Sequence, residues 1–295
     1  MKRTAGTVDA LSAQTLLWGP ASLDRYVEQH VVLPGGGALN MAYHWSKRGL
    51  PFQFLTRIGD DLPSVFTDFL QRHGIAHSPA LIAHGQSASI DIAIRDDRQP
   101  HMDNFIEGVW SDFRLSSGEE ATVRSARRLH MVLADPVVTE LDRLGELGAV
   151  AHLDASGDFL DFRHYNLERF EGTMRWLKTA FIGWPGALDD PTIDGVRDVV
   201  RRTHKLAVIT LGSRGVQVVD GRGDLASERF IPVNAVAVKG TTVGCGDAFI
   251  AAFLNCWWRN EQSATDVDAA VAAGAVLGAA ATAWPRPLPD DAYVD

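Results

Sequence analysis

Six short runs of mainly apolar residues recur along the chain: TLLWG near residue 15, FQFLTRIG near 52, LHMVLA near 129, AVAHLD near 149, TAFIG near 179 and KLAVITLG near 205. Between them lie segments such as residues 62–73, 190–203 and 246–258, whose apolar positions repeat at helical spacing. In the last of these Phe249, Phe253, Cys256 and Trp257 fall on one face. A strand buried on both sides reads as an unbroken apolar run, and a parallel neighbour requires a crossover helix. The alternation therefore predicts an α/β fold: a mainly parallel central sheet with helices on both faces. No internal repeat or low-complexity linker interrupts it, so residues 1–295 are read as one domain.

Two places break the pattern. Residues 87–94, SASIDIAI, alternate small or polar with apolar residues, turn at RDDRQ and return through HMDNFIEG, a hairpin with one wet face. Residues 25–33, RYVEQHVVL, are similarly β-like and precede a glycine run. These are expected to form a small β lid from segments near 21–34 and 86–107. Ligands of open parallel sheets bind beyond the carboxyl ends of the strands, where such a lid would close over them.

The chain's formal net charge of −9 argues against nucleic acid as a partner, since phosphate backbones are held by basic faces. A small phosphorylated ligand needs only a few local groups. Cys245 and Cys256 are the only cysteines, too few for a disulfide framework or a cysteine zinc site, and a reducing, cytoplasmic setting is expected. The amino terminus lacks the apolar stretch of a secretory signal. Residues 269–283, alanine-rich and bounded by Asp268 and Pro285, are read as a buried helix too short to span a membrane.

Residues 239–254, KGTTVGCGDAFIAAFL, carry the chemistry. Gly244 and Gly246 flank Cys245 and let the backbone come close to a ligand. Asp247 falls in the first turn of the following helix, where unpaired N–H groups favour an anion. Bare amides beside a carboxylate suit a phosphate together with a proton acceptor. No GxxxxGK[ST] loop occurs, so nucleotide chemistry must use this cradle.

A second glycine run, LPGGGALN at 33–40, leads into another helix with Asn40 in its first turn. One reading is a dinucleotide fingerprint, G-x-G-x-x-N, with Asp60 and Asp61 as the ribose-binding acids of an NAD-dependent oxidoreductase. Pro34 and the half-polar strand before it count against that reading. The other is bare backbone at Gly36 and Gly37 approaching a polyhydroxylated ligand, with Asn40 giving and accepting hydrogen bonds. Asp60 and Asp61 are then a helix cap and turn. Cys245 is either a thiol activated at a helix start or a small filler that contributes its amide. Trp257 and Trp258 are read as packing, and the ten histidines show no metal-ligand spacing.

GCGD at 244–247 resembles the GAGD motif of the ribokinase (PfkB) family of sugar kinases, and GGGALN at 35–40 resembles that family's amino-terminal glycine signature, in matching order and separation. TLGSRG at 210–215 is similar to its nucleotide-side strand and turn, and Asp24 matches its sugar-binding aspartate. Within the family, NFIEGVWSDFRLS, LDASGDF and TLGSRGVQVVDG with a terminal TAW resemble the fructoselysine 6-kinases. The resemblance covers nearly the whole chain, lid included. It implies a ribokinase-like fold and an ATP-dependent kinase acting on a hydroxyl of a small sugar, a fructosamine or a ketohexose. Asp247 would be the general base beside Gly244, Cys245 and Gly246. Asp24, Gly36, Gly37, Asn40 and Glu107 would hold the sugar, and Thr210, Gly212, Gly215, Gly244 and Gly246 the nucleotide.

Two positions depart from the family pattern. Thr241, Thr242 and Val243 stand where the family often has Asp-Thr-Thr, and FIGWPG at 181–186 lacks both residues of its Asn-x-x-Glu motif. No metal-ligand residue is assigned; Mg2+ is expected to arrive with ATP, held by phosphates and water. The other functional class weighed is a sugar-binding relative without turnover, against which the intact Asp247 speaks. A lid sheet with an apolar face is also a surface through which a homodimer can form.

Overall fold

The computed structural model describes residues 14–95, 98–162, 165–223 and 226–294. Its larger sheet has eight strands in the order β12-β11-β10-β9-β8-β7-β1-β4. They are β1 (Thr15–Trp18), β4 (Gln53–Leu55), β7 (Arg128–Val132), β8 (Asp154–Asp161), β9 (Thr179–Gly183), β10 (Leu206–Thr210), β11 (Val216–Asp220) and β12 (Ser227–Ile231). From β4 to β10 every pairing is parallel; β11 and β12 add an antiparallel edge. The mainly parallel sheet expected from the alternation is present, with the β11–β12 hairpin as an addition the alternation did not reveal.

Helices α1 (Gly37–Lys47), α2 (Pro63–Arg72), α7 (Cys245–Trp257) and α8 (Ala264–Ala281) cover one face. Helices α3 (Ser117–Ser125), α4 (Asp135–Glu146), α5 (Leu167–Met174) and α6 (Pro191–Arg202) cover the other. Most strands feed both cores: Leu17 of β1 joins the α1/α7 side, while Leu16 and Trp18 join the α4/α6 side. Helix starts follow local chemistry. Ser116 with Glu119 and Ser263 with Asp266 form capping boxes, and Asp190 caps α6 ahead of Pro191. Phe249, Phe253 and Trp257 stack along α7, and Phe253 meets Phe181 of β9 edge-on at 5.1 Å.

A smaller sheet has the order β3-β2-β5-β6, from β2 (Ser22–Tyr26), β3 (Val31–Gly35), β5 (Ala88–Ile94) and β6 (Pro100–Ile106). The stretch RYVEQHVVL is therefore not one strand. It breaks at a 3-10 turn over Val27–Gln29, with His30 left-handed at φ 53°, and folds back as a hairpin. The edge strand β6 is open on both faces rather than one, with Met102 and Phe105 exposed.

Two other expectations are corrected. AVAHLD is not a strand: Gly148 ends the α4 segment at φ 67°, Ala149, Val150 and Leu153 are buried through the turn, and β8 starts at Asp154 opposite Arg128. The alanine-rich helix starts at Ala264, five residues earlier than read, behind its capping box. It buries only one face, with Val267, Ala270 and Val271 in the core and Val276 exposed. By length and apolar composition it is the one helix among the described residues that could cross a membrane, yet its apolar face is packed against α7.

Candidate active site

The carboxyl ends of β1, β7 and β8 lie side by side, and the start of α1 packs directly on them. A Cβ at Gly19, just after β1, would stand 2.9 Å from both Ala38 and Val132, so only glycine lets the helix sit this low. The amino terminus of α7 meets that of α1: Asn40 Nδ2 donates to Asp247 Oδ2 at 2.8 Å, across 207 residues of sequence. Both helices begin at glycine N-caps without a side-chain cap, Gly36 at φ 93° and Gly244 at φ 76°. No side chain satisfies their first-turn amides, although the Cys245 N–H donates to Thr242 O at 3.3 Å.

Glycines also make room for the carboxylates. A Cβ at Gly37 would stand 3.0 Å from Asp247 Oδ1. A Cβ at Gly35 would coincide with the carboxylate of Asp24, which β2 brings alongside the end of β3. Ser22 Oγ donates to Asp24 Oδ1 at 2.8 Å. Gly246 has nothing within 4 Å of where its Cβ would be, so the first turn of α7 faces open space.

A third acid completes the cluster. Asp158 ends the straight part of β8, pairs with Val132 and Phe181 on either side, and accepts from the Leu160 N–H at 2.8 Å. Asp24 is 4% exposed and Asp158 5%. Burial, opposed in part by the Ser22 hydrogen bond and reinforced by the Asp247 charge, pushes the Asp24 carboxyl up to about 7. Burial and the same neighbouring charge push Asp158 up to about 7. Burial also raises Asp247, with the Asn40 amide pulling the other way. No ion pair to any of the three occurs among the described residues.

The sign of this shift fixes a pH dependence. A carboxyl raised from 3.8 to about 7 by folding stabilises the native state while protonated, and that contribution is lost as pH rises through 7. Asp158→Asn keeps an acceptor for Leu160 and removes the charge. It should raise the melting temperature of the ligand-free protein at pH 8 by about 5 °C, from roughly 2 kcal/mol of relieved charge burial. At pH 4 there should be no gain. Thermal unfolding at the two pH values checks this; an equal shift at both would show that charge is not the cause.

Of the residues expected to hold the nucleotide, Thr210 ends β10, two strands from β8, and its hydroxyl donates to Ile182 O at 3.3 Å. Gly212 (φ 61°) and Gly215 (φ 131°) shape the turn into β11, conformations that a side chain would strain. This turn therefore lies at the same end of the sheet as the acids. The tip of the small sheet docks on the run into α7: Arg98 donates to the Lys239 carbonyl, Thr241 Oγ1 donates to Arg98 O at 3.3 Å, and Thr242 Oγ1 donates to Gln99 at 2.9 Å. Thr241 is fully buried, and its hydroxyl also accepts from Val243 N at 3.2 Å.

Other sequence-stretch candidates fall elsewhere. Asp60 and Asp61 do not cap α2, whose N-cap is Leu62; Asp60 binds His84 and the Gly85 N–H, and Asp61 binds Ser87. They hold the chain leading into β5. The strand before the glycine run at 35–37 is β3, in the small sheet, so the run does not follow a central parallel strand as a dinucleotide fingerprint requires. Burial first and the Asp247 charge second push the Cys245 thiol up to about 12, the opposite of activation. Glu107 is exposed and its side chain makes no hydrogen bond or ion pair among the described residues. Asp158 and Gly35 were not singled out from sequence. Their roles depend on strand register and on a cross-strand contact, which no local motif displays.

Residues 181–283 match the family described as pfkB family carbohydrate kinase. The chain is 27% identical to fructoselysine 6-kinase of Escherichia coli (strain K12) over 245 residues, covering 81% of this chain and 87% of the relative. Its fold superimposes on adenosine kinase from Sinorhizobium meliloti with TM-score 0.74 at 20% identity, covering 95% of this chain and 98% of the other. A ribokinase from Giardia lamblia gives 0.73 at 14% identity, covering 92% and 94%. Fructokinase from Xylella fastidiosa with bound ATP gives 0.74 at 16% identity, covering 95% and 96%. The fold is ribokinase-like over nearly the whole chain.

Proposed function

We propose that this chain is a carbohydrate kinase of the PfkB type, moving a phosphoryl group from ATP to a sugar, that its acceptor is a ketohexose or a fructosamine, and that Asp247 is the general base. The observation that carries this reading is the Asn40–Asp247 hydrogen bond, which joins the two glycine-led helix starts into one site. The likeness to fructoselysine 6-kinase supports the substrate class.

In this reading Asp24, Gly36, Gly37 and Asn40 hold the sugar hydroxyls. The amides of Gly244 and Gly246, with that of Cys245 once it turns from its 3.3 Å bond to Thr242 O, receive the transferring phosphoryl group and stabilise its charge. Asp247 takes the proton of the attacking hydroxyl, and the Asn40 amide keeps its carboxylate turned toward that hydroxyl. The turn at Thr210, Gly212 and Gly215 carries the rest of the nucleotide. The small sheet acts as a lid that excludes water, the competing acceptor.

Magnesium accompanies the triphosphate and neutralises its charge. A coupled ADP-release screen over ketohexoses, fructosamines, ribose, nucleosides and keto-deoxy sugar acids tests the reading. ATP-dependent turnover of a ketohexose or fructosamine is expected. ADP release confined to ribose, nucleosides or sugar acids would refute the substrate class, and tight NAD(H) binding with indifference to ATP would refute the kinase.

A further inference from the structure

Asp247 has the proton to take and Asp24 the sugar hydroxyls to hold, but the third carboxylate has no task in that scheme. Asp158 is buried at the carboxyl end of β8, in register with Val132 and Phe181 of the core on the α1/α7 side, and its only hydrogen bond among the described residues comes from one backbone N–H. A second observation points to a missing donor. Asn40 is 3% exposed, its amide nitrogen is committed to Asp247, and its Oδ1 is buried with no partner.

Three carboxylates and an orphaned acceptor, with no cation paired to them among the described residues, are costly to enclose around a neutral ligand. Sugar hydroxyls can fill the hydrogen bonds but cannot offset the charge. A protonated amine does both, because it is donor-only and carries the opposite sign. Resting on the kinase reading above, we propose that Asp158 reads a protonated secondary amine on the acceptor, with Asn40 Oδ1 as its second contact, so that amino-substituted ketoses are preferred over neutral ones.

The test compares wild-type kcat/KM for a fructosamine, for its ether isostere with oxygen in place of the amine nitrogen, and for fructose. The amine should be favoured over the ether by at least about 30-fold, the scale on which a buried charge pair loses one partner. In Asp158→Asn that preference should vanish, with the ether and fructose changed less than about threefold. Equal wild-type rates on amine and ether would overturn the proposal and leave the kinase reading standing; the compensating cation would then be the one that ATP brings. A variant that loses all three substrates alike would overturn it too, since its melting temperature shows whether it is folded. If ADP is released with none of the three, both readings fall.

Discussion

Asp247→Asn should fold and unfold like the wild type while its kcat drops by at least about a hundredfold, the scale of losing a general base. Asparagine can still accept the Asn40 amide, so the join between α1 and α7 survives. What is lost is the ability to take a proton. Removing a buried charge beside Asp24 and Asp158 should, if anything, stabilise the ligand-free protein above pH 7, because the Asp247 charge raises both neighbours. Steady-state kinetics at saturating ATP and sugar, with thermal unfolding on the same sample, decide the matter. A variant that keeps most of its turnover removes Asp247 from the chemistry.

Gly35→Ala should strike the sugar half of the site and spare the nucleotide half. The added methyl would occupy the space of the Asp24 carboxylate, which is buried and held by Ser22. Something must shift, at roughly 1–3 kcal/mol for forcing an extra carbon into a packed site. The sugar KM should rise at least about 30-fold, as expected when a buried polar contact to a ligand is displaced. The KM for ATP should stay within about twofold, since the 244–246 amides and the turn at 212–215 are untouched. Parallel rises in both constants would mean that the substitution damages the fold generally.

Gly35 stands in the same run as Gly36 and Gly37, yet its role was the less visible one. Gly36 and Gly37 could be marked from sequence because they sit in a run before a helix. The need for Gly35 arises only when β2 folds back on β3 and sets Asp24 against it. Asp158 was hidden for a similar reason. DASGDFLD has no β-branched residue, so the strand it forms is obscured, and the more apolar AVAHLD just before it was taken instead. Those apolar residues are buried in a turn against α4. Asp247 and Asn40 were legible because unpaired amides at a helix start and a first-turn side chain are local features. Their contact, the fact that makes one site of two motifs, is not local at all.

The acids also explain why the small sheet matters to the site. Asp24 comes from the small sheet, Asp158 from the large one and Asp247 from α7, so the cluster exists only while the two sheets stay docked. The contacts of Arg98 and Gln99 with residues 239–242 are one link that keeps them so.

The most direct measurement is a structure of the enzyme with a non-hydrolysable ATP analogue and an acceptor sugar bound together. The γ-phosphate should lie within hydrogen-bond reach of the amides of Gly244, Cys245 and Gly246, with one sugar hydroxyl about 3 Å from the Asp247 carboxylate and pointing at that phosphate. A sugar seated away from Asp247, or a nucleotide whose phosphates avoid the start of α7, would contradict the account.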